Sequence, residues 1–465
     1  MSKQHQQQRA SIPSPVNAFH GELPFTLKDI KQAIPKHCFE RPLLKSLLHL
    51  FSDLVQIVVY TVAYYYFSQV VSDVWNFHHD NVHSHQLITL SQIVYYSIQT
   101  VLFLSYVFIQ GTTFTGLWVL QHECGHYAFS DSALVCDIVG FVVGSALLVP
   151  YFAWQKSHAI HHANTNHMER DQTWVPQTIQ EVPFESVEAK TRGPTTPKHA
   201  TTQSDFRTFI DILVMTTVGW PLHLLFNVSG PIKENVVAYY VKGKRYEPTH
   251  LKECDNTDKA MTIDVANDSV ASNDISEYNP TNKKNPVTFT SHYIPSSPIF
   301  TKKEAIKIHL SNFGVLGMLC LLYKLFIIYG WQIMMTVYVL PLCVNFFFLT
   351  SITFLQHVDD SIPHMDEDEW TWLKGALCTV DRHMGSSFID SKLHHIHDTH
   401  VCHHLFSKIP FYHAKEATEA IKKVVGTFYR EETEKTFIVS LWENLKNCIV
   451  LKRDEKYPGL LWWDH

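Results

Sequence analysis

The sequence predicts an all-α integral membrane protein: two transmembrane helical hairpins, interfacial or re-entrant helices between them, and a cytosolic helical cap that carries clustered histidines. Three observations lead there. Residues 87–121 and 325–358 contain no Asp, Glu, Lys or Arg. Lys and Arg collect on one side of the apolar runs and are missing from the turns on the other. Histidine supplies 30 of 465 residues and gathers in three short clusters.

Composition bounds the reading. The chain is 46% hydrophobic, but its mean hydropathy is only −0.06, so membrane-buried segments are balanced by sizeable polar regions. Lys+Arg at 38 against Asp+Glu at 44 leaves a net charge of −6, which offers no basic footprint for nucleic acid. The 9 cysteines are scattered singly without a C-x-x-C pair, which excludes a disulfide scaffold and a zinc ribbon and fits a reducing compartment. Residues 1–35 lack the apolar core of a signal peptide, so an internal segment is expected to direct membrane entry.

The elements follow in order. Residues 1–46 are expected as a cytosolic N-terminal segment, 47–430 as the membrane domain and 431–465 as a cytosolic C-terminal tail. A span needs about 20 apolar residues to cross about 30 Å of hydrocarbon. Residues 87–121 and 325–358 qualify; 48–70, 133–154, 209–228 and 308–327 are weaker, each carrying polar residues such as Asp53, Asp137 or Lys324.

Basic residues accumulate on the cytoplasmic side of short loops. Lys28, Lys31, Lys36, Arg41 and Lys45 precede the first span, whereas 72–86 offers only His78, His79, His83 and His85, so the first hairpin has its tip outside. A second hairpin turns at 328–332. Lys156, Arg170, Lys190, Arg192, Lys198 and Arg207 place 155–208 in the cytoplasm as well. The stretches 133–154 and 209–228 are then not simple crossings, and Pro150 and Pro221 are expected to break their helices. Residues 254–285 read as a disordered cytosolic insert, with the sequon at Asn267 unused.

The histidines fall on the cytoplasmic rim of this topology. His122 and His126 are i and i+4 at the end of a span, so on a helix they share a face. His158, His161 and His162 form H-x-x-H-H, and His400, His403 and His404 repeat it. Neutral imidazole suits Fe, Cu, Ni and Zn. One tetrahedral zinc takes at most about four ligands, so these clusters point to a two-metal centre, with His357 at the end of the last span as a further ligand.

His394, His395 and His397 flank the third cluster without its spacing. His167, His223, His364, His383 and His413 are candidates to support the ligands, and Asn227 and Thr353 to hold a metal-bound water. The string His122-Glu123-x-x-His126 also fits a membrane zinc metalloprotease, with Glu123 as general base, but that scheme leaves both H-x-x-H-H clusters without a role. A histidine-rich transporter would place its ligands near the bilayer midplane rather than at the span ends.

Gln121-His-Glu-Cys-Gly-His126, His158-Ala-Ile-His-His-Ala-Asn-Thr165 and Asp398-Thr-His-Val-Cys-His-His-Leu-Phe406 resemble the three histidine boxes of membrane fatty-acid desaturases. The closest resemblance is to the plant and fungal Δ12 and ω3 acyl-lipid enzymes. It extends to Ala33-Ile-Pro-Lys-His-Cys-Phe39, Gly219-Trp-Pro-Leu222, Asn227-Val-Ser-Gly230, Thr379-Val-Asp-Arg382, Ile409-Pro410 and Glu416-Ala-Thr418, covering roughly residues 25–430 apart from the insert.

The resemblance implies a di-iron centre on His122, His126, His158, His161, His162, His357, His400, His403 and His404. It also implies O2 as co-substrate, an acyl-lipid substrate, electrons from cytochrome b5 and its NADH-dependent reductase, and a multi-pass endoplasmic reticulum membrane protein with both termini cytosolic. The oligomeric state stays open. An unactivated methylene has no neighbouring carbonyl to acidify its C–H bond, so a general base cannot remove the hydrogens and an O2-derived oxidant is required. Trp174-Val-Pro176 and His394-His395 resemble ω3 enzymes, while His162-Ala-Asn-Thr165 and Asp398-Thr-His400 resemble Δ12 enzymes. The reading leans to ω3 (linoleate to linolenate), with Δ12 (oleate to linoleate) and a hydroxylase or epoxygenase on the same scaffold as alternatives.

Overall fold

The computed structural model of the chain describes residues 19–81, 85–178, 202–230 and 290–464. Helix α1 (Leu27–Ala33) begins at a capping box in which Thr26 and Asp29 satisfy each other's backbone N–H groups. After a 3-10 turn (Lys36–Phe39), helices α2 (Leu43–Asn81, 39 residues) and α3 (His85–Gly125, 41 residues) pack as an antiparallel pair. Each is about 60 Å long, twice the hydrocarbon thickness. Burial along α3 marks where lipid ends. Val101 is 63% exposed, yet residues 110–124 are buried without a break. The two dozen residues before position 110 rise about 36 Å, enough to cross the bilayer.

Ser132 caps α4 (Ala133–Ala146, 14 residues), which at about 21 Å is too short to span. Across Pro150 the chain bends by 109° into α5 (Tyr151–Ala163), so this pair is broken as expected of 133–154. Strand β1 (Gln177–Thr178) follows.

Next, α6 (Asp205–Val214), a π-helical turn (Met215–Gly219) and α7 (Trp220–Phe226) run on continuously. The expected break at Pro221 does not occur. The wide turn comes just ahead of the proline, which then occupies the first turn of α7, where its missing N–H leaves no bond unmade. By length and composition Asp205–Phe226 could cross a membrane. Both of its ends nevertheless pack on the histidine-bearing side. Asp205 meets Lys446 at 2.6 Å, and the Leu224 carbonyl accepts from His292 N at 2.9 Å.

The second hairpin is α8 (Ala305–Met334) and α9 (Leu340–His357). As one straight rod, the 56 residues of Lys302–His357 would run about 84 Å. Gly330, at φ 80 and ψ 169, breaks them inside the expected turn 328–332. A second π-helical turn (Met335–Val339) precedes Pro341, as the first precedes Pro221. Where α3 crosses α9, a Cβ on Gly111 would stand 2.6 Å from the Pro341 carbonyl, so glycine permits this close approach.

The cap is completed by β2 (His364–Met365), α10 (Trp372–Leu377), β3 (Asp381–Arg382), α11 (Ser387–Lys392), α12 (His400–Leu405), α13 (Phe411–Val425), β4 (Glu431–Glu432), α14 (Phe437–Asn447), β5 (Val450–Arg453) and β6 (Leu460–Trp463). Strands order as β1-β5-β6-β2, with β1 parallel to β5 and the other pairs antiparallel, while β3 and β4 form a separate parallel pair. These short ribbons leave the protein mostly helical, and the all-α membrane class holds.

Two cores meet in the cap. Phe437, Leu441, Leu451, Leu461 and Trp463 are buried with Trp118 and Phe354, so the segment after 431 folds back onto the protein. Phe25, Ile30, Ile34 and Cys38 from the N-terminal segment pack with Leu405 and Ile421. The insert 254–285, with Asn267, lies outside the described residues.

Candidate metal centre

Each histidine cluster is delivered by a helix. His122 lies near the end of the buried part of α3; one turn on, His126 N still bonds His122 O at 3.3 Å before Tyr127, at φ 58, stops the helix. His158, His161 and His162 lie along α5, and His400, His403 and His404 make up half of α12. His357 is the last residue of α9.

Donor atoms of His122, His126, His158, His162 and His403 lie within 4.8 Å of one another, and so do those of His161, His357 and His404. His400 joins the second group through His404, Nε2 to Nε2 at 3.1 Å. The groups abut, with the His162 and His404 rings stacked at 4.1 Å. All nine sequence candidates are therefore brought together, five on one side and four on the other.

The distances suit shared cations. Nε2–Nε2 separations are 2.9 Å for His122–His158, 3.1 Å for His158–His162, 3.1 Å for His162–His403 and 3.2 Å for His161–His357. Metal–imidazole bonds of about 2.1 Å make adjacent ligands of an octahedron about 3.0 Å apart. Hydrogen bonding alone serves this array poorly, because the single Nε2 of His158 faces two others and each ring nitrogen has one proton or one lone pair. The buried His126 Nε2 has no hydrogen-bond partner at all. Burial pushes His126 down to about 3, and likewise holds His400, His403 and His404 well below the usual imidazole range. The rings stay neutral, with lone pairs available to a metal.

Residues behind the rings orient them. His161 Nδ1 pairs with Asp171 Oδ1 at 2.7 Å, and the other Asp171 oxygen accepts from Asn166 N at 2.8 Å. Thr165 Oγ1 is 3.1 Å from His404 Nδ1. His158 stacks on Trp154. Asp381 accepts from Val401 N at 2.9 Å and so caps α12. Sequence reasoning missed Asp171, Thr165 and Asp381; only the polar run after the second cluster hinted at the first two.

The other polar candidates have different partners. His167 pairs with Glu367, His223 with Ser229, and His383 with Glu431, while His364 packs against Trp463. His394 bonds Asp53, His395 bonds Asp398 and His397 bonds Asp390. His413 belongs to a separate cluster. Asn227 is buried, and its side-chain amide has no hydrogen-bond partner. Thr353 receives Trp174 Nε1 at 3.3 Å. His79 is exposed at the far end of the first hairpin; the side chains of His78, His83 and His85 lie outside the described residues.

Between the two groups, on the side facing the membrane helices, lies a cavity of about 40 Å³ lined by Thr115, Trp118, Leu349, Ile352, Thr353 and Gln356 together with His122, His158, His161, His357 and His400. The metalloprotease arrangement fails on geometry. Glu123 Oε2 accepts from Phe411 N at 3.0 Å and so serves the N-terminus of α13, away from any water held by His122 and His126.

Comparison with known proteins gives the family. The model of the family described as fatty acid desaturase matches residues 98–224 and 284–435. The chain is 34% identical over 450 residues to the Delta(12)-oleate desaturase of Trichosanthes kirilowii, covering 96% of each. It is 34% identical to an omega-6 fatty acid desaturase, endoplasmic reticulum isozyme 2, of Glycine max, over 98% of this chain and 96% of the relative. It is 33% identical to the oleoyl-12-hydroxylase of Ricinus communis, over 96% and 92%. A family match over more than half the chain and full-length relatives above 30% identity lead to one conclusion: the chain belongs to the fatty acid desaturase family.

Proposed function

We propose that this acyl-lipid desaturase converts oleoyl to linoleoyl chains, a Δ12 reaction, in the endoplasmic reticulum membrane. Two iron ions are held by His122, His126, His158, His162 and His403 on one side and by His161, His357, His400 and His404 on the other. The observation that carries the reading is the gathering of nine imidazoles into two adjoining groups. Iron bound there supplies the O2-dependent oxidising power that an unactivated methylene pair requires.

The chain's own residues do the rest. Trp118, Leu349, Ile352 and Thr353 wall the apolar cavity beside His122, His158 and His400, so a lipid tail entering from the membrane helices is held with one methylene pair against the histidines. Asp171 and Thr165 fix the ring orientation of His161 and His404 through their Nδ1 atoms. The buried surroundings keep bulk water from the reacting carbon. Electrons come from cytochrome b5 and its NADH-dependent reductase.

The lean to ω3 gives way to Δ12, because two of the relatives are named for oleate and omega-6 chemistry. The Ricinus communis relative keeps one second reading open, 12-hydroxylation. Expression in a yeast without polyunsaturated lipids, with fatty acids analysed by gas chromatography, tests all three. A diene formed from oleate is the expected result. A 12-hydroxy product selects the second reading, and a triene formed only from added linoleate restores the ω3 assignment.

A further inference from the structure

Outside the two histidine groups, a different set of donors converges on the surface of the cap. His37 and Cys38 stand on the 3-10 turn Lys36–Phe39, and His413 and Glu416 on the start of α13. One ligand-type atom from each lies within 4.8 Å of the others. His37 Nε2 is 2.8 Å from Glu416 Oε2 and 3.8 Å from Cys38 Sγ, and the His37 and His413 rings meet edge to face at 5.5 Å. We propose that these four side chains bind one divalent transition-metal ion, zinc by preference, in a closed structural site that fastens the N-terminal segment to α13.

The donor set chooses the ion. A thiol, two imidazoles and a carboxylate form a borderline-soft shell that suits zinc and is poorly matched to Mg²⁺ or Ca²⁺. Around tetrahedral zinc, neighbouring N, O and S donors stand about 3.3–3.8 Å apart. The observed 2.8 and 3.8 Å bracket that range, so small rotations of exposed side chains complete the shell. Four protein donors leave no open position, the mark of a structural rather than a catalytic site.

A simple His37–Glu416 ion pair would use only two of the four groups and leaves the convergence of Cys38 and His413 unexplained. Access and rigidity are both provided. Cys38 is 0% exposed and fixed from below by the core it shares with Leu405, Ile409 and Ile421. The His37 and Glu416 side chains are 50% and 51% exposed, so an ion can enter from solvent. Because α13 packs on α12, the fastening steadies the helix that carries His400, His403 and His404.

Full-length protein in detergent, titrated with Co²⁺ as a spectroscopic stand-in for zinc, provides the test. The histidine groups contain no sulfur, so a thiolate-to-cobalt charge-transfer band reports on this site. The expected result is a band that saturates at one equivalent, vanishes in Cys38→Ser with iron content unchanged, and weakens by at least about tenfold in affinity in His37→Ala and Glu416→Ala. The two half-exposed positions keep the test decisive should Cys38→Ser fail to fold. Absence of the band in the folded wild type, or its persistence unchanged in Cys38→Ser or in both surface variants, overturns the proposal.

Discussion

Three imidazoles of the two groups are held from behind as well as offered in front: His161 by Asp171, His404 by Thr165 and His158 by the Trp154 ring. Asp171 is the clearest case: it orients His161 while its other oxygen ties down the Asn166 backbone. Asp171→Asn is expected to lower iron retention by about 10–100-fold, measured as metal content after dialysis, with activity partly restored by added iron. Replacing any one of His122, His126, His158, His161, His162, His357, His400, His403 or His404 by Ala is expected to abolish desaturation while leaving membrane insertion intact; retained activity in two or more would sink the ligand assignment. His79→Ala, at the opposite end of the first hairpin, is expected to be tolerated.

His292 carries a pH prediction about stability. It is buried with Nε2 at 2.8 Å from Ser157 Oγ, and desolvation pushes it down to about 4. An unfolded histidine titrates near about 6.5, so between that value and about 4 the unfolded state binds the extra proton. The stability that His292 contributes is full above the upper value and drains away as pH falls through the window. Thermal melts from pH 7 to 4 are expected to lose less stability in His292→Gln than in wild type.

Among the elements, α12 depends most on its surroundings. Six residues are too few for a helix to persist alone, so its three histidines are aligned only because neighbours complete its ends. Asp381 does so at the N-terminus and is itself held by the Tyr429 hydroxyl. Asp381→Ala is expected to cost about 1–2 kcal/mol in thermal or denaturant melts and to lower activity, with Asp381→Asn, which keeps an acceptor, recovering much of both. The two π-helical turns make a related point. Pro221 reads as a helix breaker in the sequence, yet it follows a widened turn that absorbs the lost hydrogen bond, as Pro341 does in the second hairpin, and both rods continue.

At the scale of the molecule, the cap is assembled from segments distant in the chain. Removing residues 437–464 would strip Phe437, Leu441, Leu451 and Trp463 from the core around Trp118 and Phe354. Such a truncation is expected to give membrane-inserted but inactive protein that is rapidly cleaved by added protease. Deleting 254–285 is expected to cost little by the same measure.

The apolar runs, the turn at Gly330 and the grouping of histidines at the ends of spans were all legible in the sequence. Hydrophobic length and helical spacing are local properties, written within a few dozen consecutive residues. Which imidazole joins which group was not, nor that Asp171 orients His161, that Asp381 caps α12, or that the last thirty residues complete the core. Those pairings join positions up to hundreds of residues apart and arise from how helices cross and pack, which leaves no periodic trace along the chain.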